Sequence, residues 1–178
     1  MLAEIEIKNI EVSGKAMMAF TEGLPDYLSE FTKTILYHYK IDDPQAEAWY
    51  SLEDNIMALD DLQSKFGKSV LYEIGKSVVN VVKVDKIPKS LKEALQSLED
   101  NINCIHKNGP VCEIEIVKLS LRRKKALLRI ETPYPIELLR GVLAGIARKY
   151  TVDSSVLADV EVDEEKSLYP LAFYKITW

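Results

Sequence analysis

"TPYPIELLRGVLAGIARKY", Thr132 to Tyr150, is the stretch on which the fold turns. Two prolines, Pro133 and Pro135, close off what precedes. Leu138, Leu139, Val142, Leu143, Ile146 and Ala147 then recur at the three-and-four spacing of an amphipathic helix. Gly141 and Gly145 lie four apart on one stripe, where missing side chains let a sheet or a ligand come close to the backbone. Periodicity alone favours a packed core helix over the wall of a pocket.

On either side of this helix the period changes to two. Upstream, Cys112, Ile114 and Ile116 alternate with Glu113, Glu115 and Val117, and "ALLRIET" follows the basic turn "LRRKK", which predicts an antiparallel hairpin. Downstream, "SSVLADVEV" and "LAFYKITW" predict two more strands joined by the acidic turn "DEEKSLYP". The C-terminal order is therefore strand, strand, helix, strand, strand.

Towards the N-terminus, Glu4 to Val12 alternates with one slip after Lys8-Asn9, predicting a strand with a bulge. Helices are expected over "KAMMAF" and over "PDYLSEFTKTILYHYK", the latter with Tyr27, Leu28, Phe31, Ile35 and Leu36 facing inward. Ser51, three residues before Asp54, starts a helix to about Phe66. Gly67 interrupts it, and a second helix carries Val70, Leu71, Ile74, Val78 and Val81 on one side, with Gly75 marking a close approach. Ser90, with Glu93 three on, starts a further helix expected to run to about Asn108. The hexapeptide "SLEDNI" occurs at Ser51–Ile56 and at Ser97–Ile102, the second time in what reads as mid-helix. The whole predicts an α+β fold: an N-terminal helical layer packed on a mainly antiparallel sheet.

At 178 residues with a net charge of −5, the chain is long enough for a single well-buried domain, 1–178, and too acidic for a nucleic-acid partner. Two cysteines, Cys104 and Cys112, make no disulfide framework, and the N-terminus does not read as a secretory signal. A reducing, cytoplasmic setting is expected. No apolar run approaches the ~20 residues of a membrane span.

Chemistry-bearing residues are few. His38 sits among tyrosines at a helix end and reads as packing or solvent-facing. His106 lies near the expected end of the Ser90 helix, where an imidazole complements the helix dipole. Thiolate and imidazole suit zinc or haem iron, but Cys104, two residues before His106, points elsewhere on a regular helix. The runs Arg122–Lys125 and Asp163–Glu165 read as solvated turns, and no phosphate loop, nucleophile elbow or zinc-protease helix occurs. No enzyme is expected.

Three segments, "SKFGKSVLYEIGKSV", "GVLAGIARKY" and the terminal strand "LAFYKITW", make residues 49–178 resemble the H-NOX-like ligand-binding superfamily. That superfamily groups haem nitric-oxide and oxygen sensors, vinyl-reductase-type small-molecule-binding domains and TRAPP transport subunits; residues 1–48 supply an N-terminal strand and helices outside the match. The resemblance implies a non-enzymatic small-molecule-binding or sensory domain, its apolar pocket lying between helices and sheet. Leu71, Ile74, Gly75, Leu98, Ile102, Leu128, Ile130, Leu138, Gly141, Val142 and Gly145 are the expected lining. No cofactor is predicted for that reading, whose ligand is a hydrophobic small molecule. One alternative is a haem-binding gas or redox sensor through His106, although Leu128, Ile130 and Thr132 stand where the haem sensors have Tyr-x-Ser-x-Arg. A second alternative is a dimeric interaction scaffold. A sensor without an output module implies a homodimer or a separate effector protein.

Overall fold

The period-two segments build a four-stranded antiparallel sheet in the computed structural model, which describes residues 7–22, 24–82, 87–151 and 158–178. Its strands are β4 (Glu113–Ser120), β5 (Lys125–Glu131), β6 (Asp159–Val162) and β7 (Leu171–Thr177), in spatial order β4-β5-β7-β6. Alternation sends Ala126, Leu128, Ile130, Ala172, Tyr174, Ile176 and Val160 into the core, while Glu115, Glu161 and Lys175 face water. A register shift between Ile116 and Lys118 bulges β4 and turns Val117 outward. The expected strand over "SSVLADVEV" is present as β6; its residues 154–157 lie outside the described ones.

The helix of the opening stretch, α7 (Ile136–Tyr150), contacts β6 and β7 on one side and α4 (Lys68–Val81) on the other. Backbone proximity is closest between α4 and α7, and the glycines explain it. A Cβ on Gly75 would overlap the carbonyl of Leu138, one on Gly141 the carbonyl of Tyr72, and one on Gly145 would meet Val79 and Lys76. Gly75, Gly141 and Gly145 are thus spent on helix–helix contact, against neither the sheet nor a ligand. Arg140 lies over the Tyr72 ring at 4.6 Å and closes the edge of this contact.

Ahead of α4, α3 (Leu52–Phe66) starts at Ser51, whose Oγ accepts from the Asp54 N–H at 3.2 Å, and ends at Gly67 with φ of 81°. Helix α1 (Gly14–Met18) and helix α2 (Asp26–His38) complete the N-terminal layer. On α2 the inward residues are Thr32, Ile35 and Leu36; Tyr27 and Phe31, expected inside, are largely exposed, and Phe31 packs instead on the Phe66 ring at 5.0 Å.

Two other expectations are corrected. The opening segment is a 3-10 turn at Ile7–Asn9 and a short strand, β1 (Glu11–Ser13), with residues 4–6 outside the described ones. β1 pairs antiparallel with β2 (Trp49–Ser51) and β3 (His106–Lys107) in a small second sheet. The helix from Ser90 to Asn108 is in fact two, α5 (Leu91–Gln96) and α6 (Leu98–Asn103), broken at Ser97. The second "SLEDNI" therefore begins a helix, as the first does, although Ser97 makes no side-chain cap bond. Because α6 stops at Asn103, His106 stands on a strand, with its Cα opposite Val12.

Candidate functional site

A cavity of about 140 Å³ opens on the helical side of α7. Its walls come from α1 (Ala16) and the turn after it (Phe20), the end of α4 and the residue that follows (Val78, Val79, Val82), α5 and α6 (Ala94, Leu98, Asn101, Ile102), Ile105, and one face of α7 (Leu138, Leu139, Val142, Ile146, Lys149, Tyr150). The i, i+4, i+8 spacing of Leu138, Val142 and Ile146 aligns them in one row along α7. The lining is overwhelmingly apolar. Its polar members are His106, Tyr134, Asn101, Lys149 and Tyr150.

Of the expected lining residues, Leu98, Ile102, Leu138 and Val142 are on the wall. Leu71, Ile74, Leu128 and Ile130 are fully buried elsewhere in the core, and the three glycines sit in the α4–α7 contact. No residue of the four-stranded sheet lines the cavity, so it lies among helices and not between helices and sheet.

Two lining residues, His106 and Tyr134, are bonded to each other. The His106 Nδ1–H donates to the Ile102 carbonyl at 2.7 Å, and the Tyr134 hydroxyl donates to Nε2 at 2.7 Å. The carbonyl can only accept, which places the single proton of the neutral ring on Nδ1 and makes Nε2 the acceptor. Burial, which opposes a cation here, lowers the His106 pKa to about 4, partly offset by the Ile102 carbonyl bond. The expected role at a helix end is thus half met: the ring bonds a carbonyl in the last turn of α6, but it is a neutral ring on a strand.

The pair is held from both sides. Asn103 closes the loop that carries His106: its Oδ1 accepts from the Val111 and Cys112 N–H groups at 2.8 and 3.0 Å, and its Nδ2 donates to the Cys112 carbonyl at 2.9 Å. Tyr134 sits between two buried prolines on a strap clasped by two other tyrosines. Tyr169 donates to the Pro133 carbonyl at 2.9 Å and Tyr174 to the Ile136 carbonyl at 3.1 Å. Burial pushes the Tyr134 hydroxyl pKa up, with a smaller push from Cys112. The Cys112 thiol is itself pushed up to about 12 by burial, with Glu99 adding to the push and a hydrogen bond to Thr132 opposing it. Cys112 is therefore an inert buried thiol. Sequence reasoning misses Tyr134 and Asn103; the Pro-Tyr-Pro setting of Tyr134, an aromatic fixed by prolines on both sides, is the available signal.

His38 stays exposed on α2 and Cys104 exposed after α6. The described residues contain no group of three or more His, Cys, Asp or Glu that could hold a metal ion, and no helix long and apolar enough to cross a membrane.

No protein-family model and no curated protein matches the chain. Solved structures do. The Fe(II) unliganded H-NOX protein from K. algicida superposes with a TM-score of 0.66 at 12% identity, over 93% of this chain and 95% of that one. A doubly substituted Tt H-NOX gives 0.64 at 10% identity over 92% of each chain, and a singly substituted T. tengcongensis H-NOX gives 0.58 at 9% identity over 91% of this chain and 94% of that one. The α+β fold of this chain is H-NOX-like.

That fold raises haem as a test for the cavity. The neutral Nε2 of His106 is of the right chemistry for iron, but it is already bonded to Tyr134. The cavity is about the size of an engineered one of about 150 Å³ that holds a benzene ring, well short of the roughly 300–1,000 Å³ of pockets for larger ligands. Lys149 is the lone cation on its described wall. Leu128 and Ile130 are buried in the sheet, and Thr132 is turned to Cys112 and to the Tyr134 N–H. A haem does not fit among these side chains as they stand.

Proposed function

We propose that the chain is a non-enzymatic small-molecule-binding or sensory domain whose ligand occupies the cavity beside His106 and Tyr134. The observation that carries this is an apolar cavity the size of one small ring, lined in part by a hydrogen-bonded polar pair that both α6 and the Thr132–Ile136 strap hold in place. An apolar wall of this kind, open on one side, favours an apolar occupant, because filling it removes apolar surface from water. Native mass spectrometry of the gently purified chain should show an adduct of small mass that is lost on denaturation. A chain that is ligand-free and takes up no small apolar compound would overturn the proposal.

A haem sensor is the second reading, favoured by the H-NOX-like fold and by the neutral, buried His106. It requires the Tyr134 bond to break and the helices around the cavity to part. Haem titration would then produce a Soret band that His106→Ala removes and Tyr134→Phe, which frees Nε2, strengthens. A sensor of either kind passes its signal to a second copy or an effector, and sedimentation velocity with and without ligand distinguishes these routes.

A further inference from the structure

The direction of the hydrogen bonds at the cavity wall selects the ligand. The Ile102 carbonyl accepts from Nδ1, so Nε2 must accept from Tyr134, and the Tyr134 proton is spent. Its oxygen is left with lone pairs only, and among the described residues it has no further hydrogen-bond partner. A buried tyrosine oxygen offering only acceptor capacity accommodates an O–H or N–H and repels a carbonyl or carboxylate. Charged ligands are disfavoured twice over. An ammonium would lie in an apolar wall whose one described cation, Lys149, repels it, and a carboxylate would face the Tyr134 lone pairs. The cavity of about 140 Å³ seats an apolar body of about one six-membered ring.

We propose, resting on the reading of the cavity as a ligand site, that it takes a small neutral molecule with an apolar body and one hydroxyl or N–H donor, bonded to the Tyr134 oxygen. Asn101 does not set this preference, because its amide is turned to Ser97, donating to Oγ at 3.2 Å.

The test titrates the full chain with cyclohexanol, cyclohexanone and methylcyclohexane, which share a skeleton and differ in offering a donor, an acceptor alone, or neither. Cyclohexanol should bind at least about tenfold more tightly than cyclohexanone, since the ketone loses its water bond and gains none. The double variant Tyr134→Phe/His106→Phe, which removes the tyrosine oxygen and also the Nε2 acceptor that Tyr134→Phe alone would free, should bring cyclohexanol down to the level of cyclohexanone. In the wild-type chain, which needs no variant to fold, the ¹⁵N resonance of His106 Nε2 should move with cyclohexanol and stay still with methylcyclohexane. A ketone that binds as tightly as the alcohol, or a preference that survives in the double variant, would overturn the donor proposal while leaving the cavity a ligand site. If none of the three compounds binds, both the proposal and the reading beneath it fall.

Discussion

Acidification should destabilise this protein through His106. Its folded pKa is about 4 against an ordinary 6.5, so between those values the unfolded chain holds a proton on this ring that the folded chain does not. A folded value below the unfolded one means stability is lost as pH falls through that window and is fully present above it. The slope is about 1.4 kcal/mol per pH unit, and the whole window is worth about 3 kcal/mol. His106 is only 7% exposed, so solvent screening does little to reduce this. Two carboxylates add their own contributions. Asp163, held down by Lys175 and Lys166, also loses stability on acidification, whereas burial raises Asp60 and gives the opposite sign. The informative quantity is therefore the difference between wild type and His106→Gln. Urea unfolding at pH 7, 6, 5 and 4.5 should show the wild type losing about 1.4 kcal/mol more per pH unit than the variant below about pH 6.5. Parallel pH profiles, or His106 ring nitrogens that titrate near 6.5 by NMR, would refute a neutral, buried imidazole.

Further outcomes follow from the packing. Gly141→Ala gains up to about 1 kcal/mol of helix propensity but drives a methyl into the Tyr72 carbonyl, so separating α4 from α7 should leave the protein about 1–3 kcal/mol less stable, a fall in Tm of roughly 3–10 °C by calorimetry. Ser51→Ala should cost about 1 kcal/mol in chemical denaturation and Ser97→Ala clearly less, because of the two "SLEDNI" serines only the first caps its helix through its side chain. Asn103→Ala removes three hydrogen bonds from the loop that carries His106 and should cost about 2–3 kcal/mol, with faster amide exchange at Val111 and Cys112.

What can be read from the sequence divides along a physical line. The sheet and α7 are legible because their signals are local: a period of two in "CEIEI" and "LAFYKITW", a period near 3.6 from Leu138 to Ala147. The break at Ser97 is also local, since the same hexapeptide at Ser51 reads as a helix start, but the long apolar run around it outweighs that hint. The glycine stripe announces a close approach without naming the neighbour, and only the fold shows that α4 fills it. His106 is the clearest failure. Its place opposite Val12 joins parts of the chain far apart in sequence, and no periodicity near "CIHKNG" encodes that pairing. The cavity is illegible as a set for the same reason, because α1, α4, α5, α6 and α7 each contribute only part of its wall.

Xenon tests the central claim most directly, because it enters apolar cavities and needs no knowledge of the natural ligand. A crystal of the full chain pressurised with xenon should show an ordered atom beside Ile102, Leu138 and Val142, within reach of the His106–Tyr134 pair. A crystal in which those side chains close on one another and exclude xenon from that place would contradict the account.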